Sequence, residues 1–162
     1  MPMLDVFLPH GALSSAAERS LLEELTTILL RTEGADPDNP AVRPMAKAFV
    51  HRPEVFVAGA PAEKPHYRVL AAVPEGQLNG GERKQQLIAE VTDAVLRAEG
   101  SASDRDRARV WVFPLEIPEG HWGANGTALG LQDILTAAIG DTDKAQHVAQ
   151  ERIRGSRQEK SA

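Results

Sequence analysis

The chain has 162 residues, 42% of them hydrophobic, and a formal net charge of −5. That is ample apolar material for one compact domain or two small intimate ones, while the acidic balance and scarce aromatics argue against nucleic acid as a partner. It contains no cysteine, which excludes disulfide staples, thiolate zinc sites and cysteine nucleophiles together.

In chain order, the first apolar strand is expected at 3–8, ended by a Pro9/Gly11 turn. A helix follows: Ser15-x-x-Glu18 has the capping-box spacing, Leu21, Leu22, Leu25, Ile28 and Leu29 make one apolar face, and Gly34 stops it. A polar linker leads to a strand at 46–52, with a short extra strand at 55–58. The pattern then restarts with a strand at 67–73, a Pro74/Gly76 turn, and a helix with the stripe Leu87, Ile88, Val91 and Val95 stopped by Gly100. A strand at 108–113 and a short one near Trp122 complete it. Residues 129–155 read as helical and 156–162 as a disordered tail.

The restart is a duplication. LLEELTTILLRTEG (21–34) lies against LIAEVTDAVLRAEG (87–100), with Glu24/Glu90, Arg31/Arg97, Glu33/Glu99 and Gly34/Gly100 among the identities. Upstream, Pro9 and Gly11 match Pro74 and Gly76, and Pro2 matches Tyr67. The units are 2–65 and 66–128. A helix between two strands of one sheet implies a right-handed crossover and parallel pairing within each unit. The expected fold is therefore α+β: a tandem β-α-β repeat forming a four-stranded sheet with two helices on one face. The uncovered face is most simply buried by self-association.

Pro2, the doubled unit and the segment ARVWVFPLEIPEGHWGANG together resemble the tautomerase superfamily, in particular its fused two-unit members similar to cis-3-chloroacrylic acid dehalogenase. The likeness covers residues 2–128. The second unit also resembles the short enzyme 4-oxalocrotonate tautomerase. The resemblance implies a cofactor-free, metal-free isomerase, a homotrimer, whose amino-terminal proline shuttles a proton between enol and keto forms of a small carboxylate-bearing 2-oxo acid. Removal of Met1 leaves Pro2 as a secondary amine, which desolvation keeps neutral near pH 7. Tyr67, inside the chain, has no such amine.

The same resemblance offers Arg109 as the carboxylate anchor, Arg68 as a second cation, Trp122 as a wall of the site, and His121 near the dehalogenase's catalytic glutamate. Phe113 stands where the dehalogenase has a catalytic tyrosine, Pro74 and Gln77 where it has arginines, and Leu29 near its helix histidine. Ala12 replaces the short tautomerase's turn arginine. These departures weigh against water-activating hydratase or dehalogenase chemistry and against a dicarboxylate substrate. The alternative to a tautomerase is a non-catalytic binding protein on the same fold, using the carboxyl-terminal helix.

The five histidines show no metal-ligand spacing, Gly80-Gly81 and 123–126 read as turns rather than phosphate loops, and Ser14 and Ser15 lack a hydrolase elbow. No apolar run is long enough to span a bilayer, and PMLDVFLPHG lacks the basic start and cleavage site of a secretory signal. A cytoplasmic protein without a membrane partner is expected.

Overall fold

The computed structural model describes residues 2–101, 103–159 and 161. Strand β1 (Met3–Phe7) alternates half-buried and buried residues, and helix α1 (Ser15–Thr32) returns over it, burying Leu21, Leu25, Ile28, Leu29 and Leu30. The cap of α1 is Ser14, whose side chain accepts from Ala17 N at 3.2 Å, not the Ser15 box expected from spacing. In a Ser-Ser pair either hydroxyl can cap, and the one outside the first turn takes the role.

Strand β2 (Lys47–His51) pairs parallel to β1, with Met3 opposite Lys47, and a small hairpin follows, β3 (Phe56–Val57) with β4 (Ala60–Pro61). The second unit repeats the plan with β5 (Tyr67–Pro74), α2 (Gly81–Glu99) and β6 (Val110–Ile117), where β5 and β6 are parallel. Strand β6 starts later than the sequence suggests and runs to Ile117, because residues 104–109 wind into a 3-10 turn first. Its hairpin is β7 (Trp122–Ala124) with β8 (Thr127–Leu129). Strands β1 and β5 join the units antiparallel, giving the order β2-β1-β5-β6.

The duplication also shows between the helices, which exchange equivalent ion pairs: Arg31 with Glu90, and Arg97 with Glu24. These pairs are partly exposed and add little stability. The core between helices and sheet is built from Leu4, Val6, Val69, Ala71 and Val73 of the strands against Leu25, Leu29, Leu87, Val91 and Val95 of the helices. Alternation along the strands puts Phe49, Trp111, Phe113 and Leu115 on the other face, where they are exposed.

Beyond the repeat, α3 (Leu131–Ile139) and α4 (Thr142–Glu159) pack on each other through Leu131, Leu135, Ala145 and Ala149. Helix α4 continues through Glu159, past residue 156 where the sequence suggests a disordered tail, and Ser156 is buried. Lys160 and Ala162 of that expected tail lie outside the described residues. Among the described residues no helix is long and apolar enough to cross a membrane.

Candidate active site

Pro2 is the residue before β1, and its position follows from the crossover. Helix α1 runs back along β1, so the end of α1 and the start of β2 share the end of the sheet where β1 begins. Because β5 is antiparallel to β1, with Ala72 opposite Met3, the ends of β5 and β6 and the turn 74–79 lie there too. Pro2 is buried, and its carbonyl accepts from Lys47 N at 3.1 Å.

Glu33 caps the carboxyl end of α1 and is 4% exposed. Burial pushes its carboxyl up to about 7, against the opposing pull of the amino-terminal charge and of Arg152. Its Oε1 has no hydrogen-bond partner among the described residues. The turn after β5 is held by Glu116, whose Oε1 accepts from Gly76 N at 2.9 Å and Leu78 N at 3.2 Å, and by Glu75, which accepts from Glu119 N at 3.1 Å.

Helix α4 closes onto this turn. Asn79 Nδ2 donates to Arg152 O at 2.7 Å, and Arg152 Nη1 donates to Glu33 O at 3.1 Å and to the side-chain oxygen of Gln77. Gly76 permits the approach: its φ is +88°, and a Cβ there would stand 2.8 Å from the Arg152 carbonyl carbon. Desolvation pushes the Arg152 guanidinium below its ordinary value, and the charge of Arg83 adds to the effect while Glu33 opposes it.

The residues singled out from sequence are spread over the chain. Arg109 lies at the opposite end of β5 from the turn 74–79, 8% exposed, and its donors are taken: Nη2 and Nη1 bond Glu99 at 2.5 and 2.9 Å, Nε bonds Asp106 at 3.0 Å, and Nη1 also reaches Pro65 O. Arg68 stands opposite Phe7 with its guanidinium 3.8 Å above that ring, which stacks on His51. Phe113 is on the open face, opposite Leu70. His121 and Trp122 follow the end of β6 that lies at the Pro2 end. His121 is exposed and closes a turn on Pro118 O, and Trp122 pairs with Leu129. The single chain therefore brings neither Arg109 nor Arg68 to Pro2.

Glu33 and Arg152 are the residues that sequence reasoning overlooked. Glu33 carried a signal, its identity with Glu99 in the repeat. Arg152 carried none, being 119 positions from the residue it bonds. Among the described residues no cluster of His, Cys, Asp and Glu suited to a metal ion is present.

The chain is thus a duplicated β-α-β sheet with a buried proline just before its first strand. Residues 74–132 match the family of tautomerase enzymes. Solved structures carry the same fold over nearly their whole length. A member of the cis-3-chloroacrylic acid dehalogenase family, N1, has a TM-score of 0.65 at 18% identity, covering 91% of this chain and 99% of its own. Pt0534, inactivated by 2-oxo-3-pentynoate, has a TM-score of 0.63 at 18% identity, covering 82% and 98%. A fused 4-OT that forms a symmetric trimer, Q0, has 0.62 at 23% identity, covering 86% and 99%. No curated protein matches the chain significantly. The family match thus covers the second unit and the start of α3, and across the whole chain these structures share its fold.

Proposed function

We propose that this protein is a cofactor-independent tautomerase that interconverts enol and keto forms of a 2-oxo acid, with Pro2 as the acid-base group. The observation that carries the reading is the buried proline at the head of β1 in a tautomerase fold. Removal of Met1 makes Pro2 a secondary amine, and desolvation disfavours its charged form. The neutral nitrogen takes the proton from the enol oxygen and returns it to C3 as the carbonyl forms, so the amine ends as it began. Inactivation of Pt0534 by a 2-oxo acid supports that substrate class.

The exposed face of Phe49, Trp111, Phe113 and Leu115 is the surface through which this reading assembles a homotrimer, in line with the trimeric fused 4-OT neighbour. In that assembly Phe113 and Arg68 on the open face reach toward a neighbouring subunit's Pro2, while Trp122 and His121 border their own. Arg109 can act as an anchor only toward a neighbouring subunit, and only by releasing Glu99.

The test is to treat the native protein at neutral pH with 3-bromopyruvate and map the adduct by mass spectrometry, alongside keto-enol conversion of phenylpyruvate. A single adduct on an amino-terminal Pro2, and an activity that falls by about 10²–10⁴ in Pro2→Ala, is the expected result. An unmodified terminus, or one that retains Met1, overturns the reading and leaves a non-catalytic binding protein as the second reading.

A further inference from the structure

Arg109, which is buried, and Arg152, which is partly buried, are satisfied in opposite ways. Arg109 meets two carboxylates, so its charge is neutralised where it sits. Arg152 makes no salt bridge among the described residues, and its acceptors there are two neutral oxygens, Glu33 O and the Gln77 side chain. A guanidinium has five N–H donors and cannot shed its charge, so partly withdrawing it from water is costly, and the carboxyl whose charge acts on it, Glu33, is itself pushed toward its neutral form by burial.

A second cation is placed beside it. Arg83 Nη1 donates to the main-chain oxygen of the same Gln77 at 3.3 Å, and its charge acts on Arg152. Arg83 also makes no salt bridge among the described residues. The buried Gln77 thus accepts from two guanidiniums, the exposed Arg83 on its main-chain oxygen and the partly buried Arg152 on its side chain.

The surroundings are polar and incompletely paired. Glu33 Oε1, Asn79 Oδ1 and Ser156 Oγ are buried without a partner among the described residues. Each belongs to the junction of α4 with the first unit and the turn: Asn79 and Glu33 bond Arg152, and Ser156 lies one helical turn further along α4. Of the three, the Ser156 hydroxyl can donate to an anion, and so can the Glu33 carboxyl in the protonated form that burial favours, whereas Asn79 Oδ1 can only accept.

We propose that Arg152, supplied by α4 from outside the duplicated units, binds the carboxylate of a monoanionic ligand at the Pro2 end of the sheet, with Arg83 as the second cation. This deepens the tautomerase reading and rests on it for the ligand's class, a single carboxylate beside a reacting carbonyl. The anion exchanges a neutral amide acceptor for a charge-assisted pair on Arg152. In the unliganded protein Gln77 holds the guanidinium in place.

The experiment measures binding, which Pro2 chemistry does not control. Calorimetric titration with 3-phenylpropionate and with its neutral amide compares the full chain with Arg152→Gln, Arg83→Gln, Gln77→Glu and Pro2→Ala. The expected result is acid bound in preference to amide. Arg152→Gln weakens acid binding about 10- to 100-fold and leaves the amide unchanged, and Arg83→Gln weakens it less. Gln77→Glu covers the possibility that Arg152→Gln does not fold. It gives Arg152 a resident carboxylate, keeps α4 docked, and lowers acid affinity without loss of structure. Pro2→Ala keeps the preference for acid, so failure of the proline reading shows in labelling and turnover while this proposal stands. Equal binding of acid and amide, no binding of acid by the unaltered chain, equal losses for both ligands in Arg152→Gln, or undiminished acid affinity in Gln77→Glu overturns it.

Discussion

Glu33 and Glu99 occupy equivalent places at the carboxyl ends of α1 and α2, and the structure gives them opposite electrostatics. At the second unit's end, Arg109 grips both oxygens of Glu99 while Tyr67, the counterpart of Pro2, donates its hydroxyl at 3.0 Å. The hydrogen bonds from Arg109 hold the Glu99 carboxyl below its ordinary value. At the first unit's end the carboxyl of Glu33 has no such grip, Arg152 bonds its main-chain oxygen instead, and burial raises it. One copy has closed its end with a matched ion pair, and the other has left charge unmatched beside a proline. Groups in related settings whose protonation is pushed apart are a mark of functional sites, whereas a satisfied pair reads as scaffold.

The most direct way to break this comparison is Arg109→Ala. It strands Glu99 in a nearly buried pocket, and losing one partner of such a pair costs about 3–5 kcal/mol. Urea denaturation should show this loss, with 3-bromopyruvate labelling of Pro2 unchanged in the folded fraction. A variant of undiminished stability with an altered KM for the 2-oxo acid instead identifies Arg109 as a substrate anchor and removes the contrast between the two ends.

The two carboxyls also impose opposite pH slopes. Glu33 is raised from 4.5 to about 7, so between those values the folded state holds a proton that the unfolded state has lost. Its contribution makes stability fall as pH climbs from about 4.5 through 7, by up to roughly 3 kcal/mol. The amino-terminal charge and Arg152 both work against that fall. Glu99 is lowered, so its contribution is present above 4.5 and is lost as pH drops through its folded value. Denaturation midpoints over pH 4–8 should lose the neutral-side decline in Glu33→Gln and the acid-side decline in Glu99→Gln. Parallel profiles for the two variants would mean that the ends are electrostatically alike.

The architecture was legible because the two copies repeat a strong local pattern. An apolar strand, a Pro-x-Gly turn and a Leu-rich helix stopped by glycine each act within a few residues, and the second copy corroborates the first. The 3-10 turn over DRDRAR was hidden because nothing local says that Arg109 will fold back on Glu99 and Asp106 before the strand begins. Of the candidate site, only Pro2 was legible. Its placement needs the crossover alone, whereas Arg152 reaches Glu33 and Gln77 from a polar helix whose sequence shows no reason to dock there. Sequence likeness drew attention to Arg109, since strand arginines are a family feature, but a motif records residue type and not which carboxylate a guanidinium has already met.

The smallest predicted effect separates the copies at their turns. Gly11 and Gly76 are equivalent, with φ of +74° and +88°, yet a Cβ on Gly11 meets nothing within 4 Å while one on Gly76 runs into the α4 backbone at Arg152. Gly11→Ala should cost only the left-handed backbone penalty, about 1–2 kcal/mol. Gly76→Ala bears that same penalty and must also displace main chain, which cannot rotate aside as a side chain can. The extra strain is relieved most cheaply by lifting α4, whose attachment here runs through Arg152 and Asn79. Hydrogen exchange should therefore show α4 losing protection in Gly76→Ala while β1 and β5 keep theirs, and Gly11→Ala should leave α4 as protected as before. If the two variants behave alike, α4 is not seated on the turn, and the Pro2 end loses the partly buried cation that α4 brings to it.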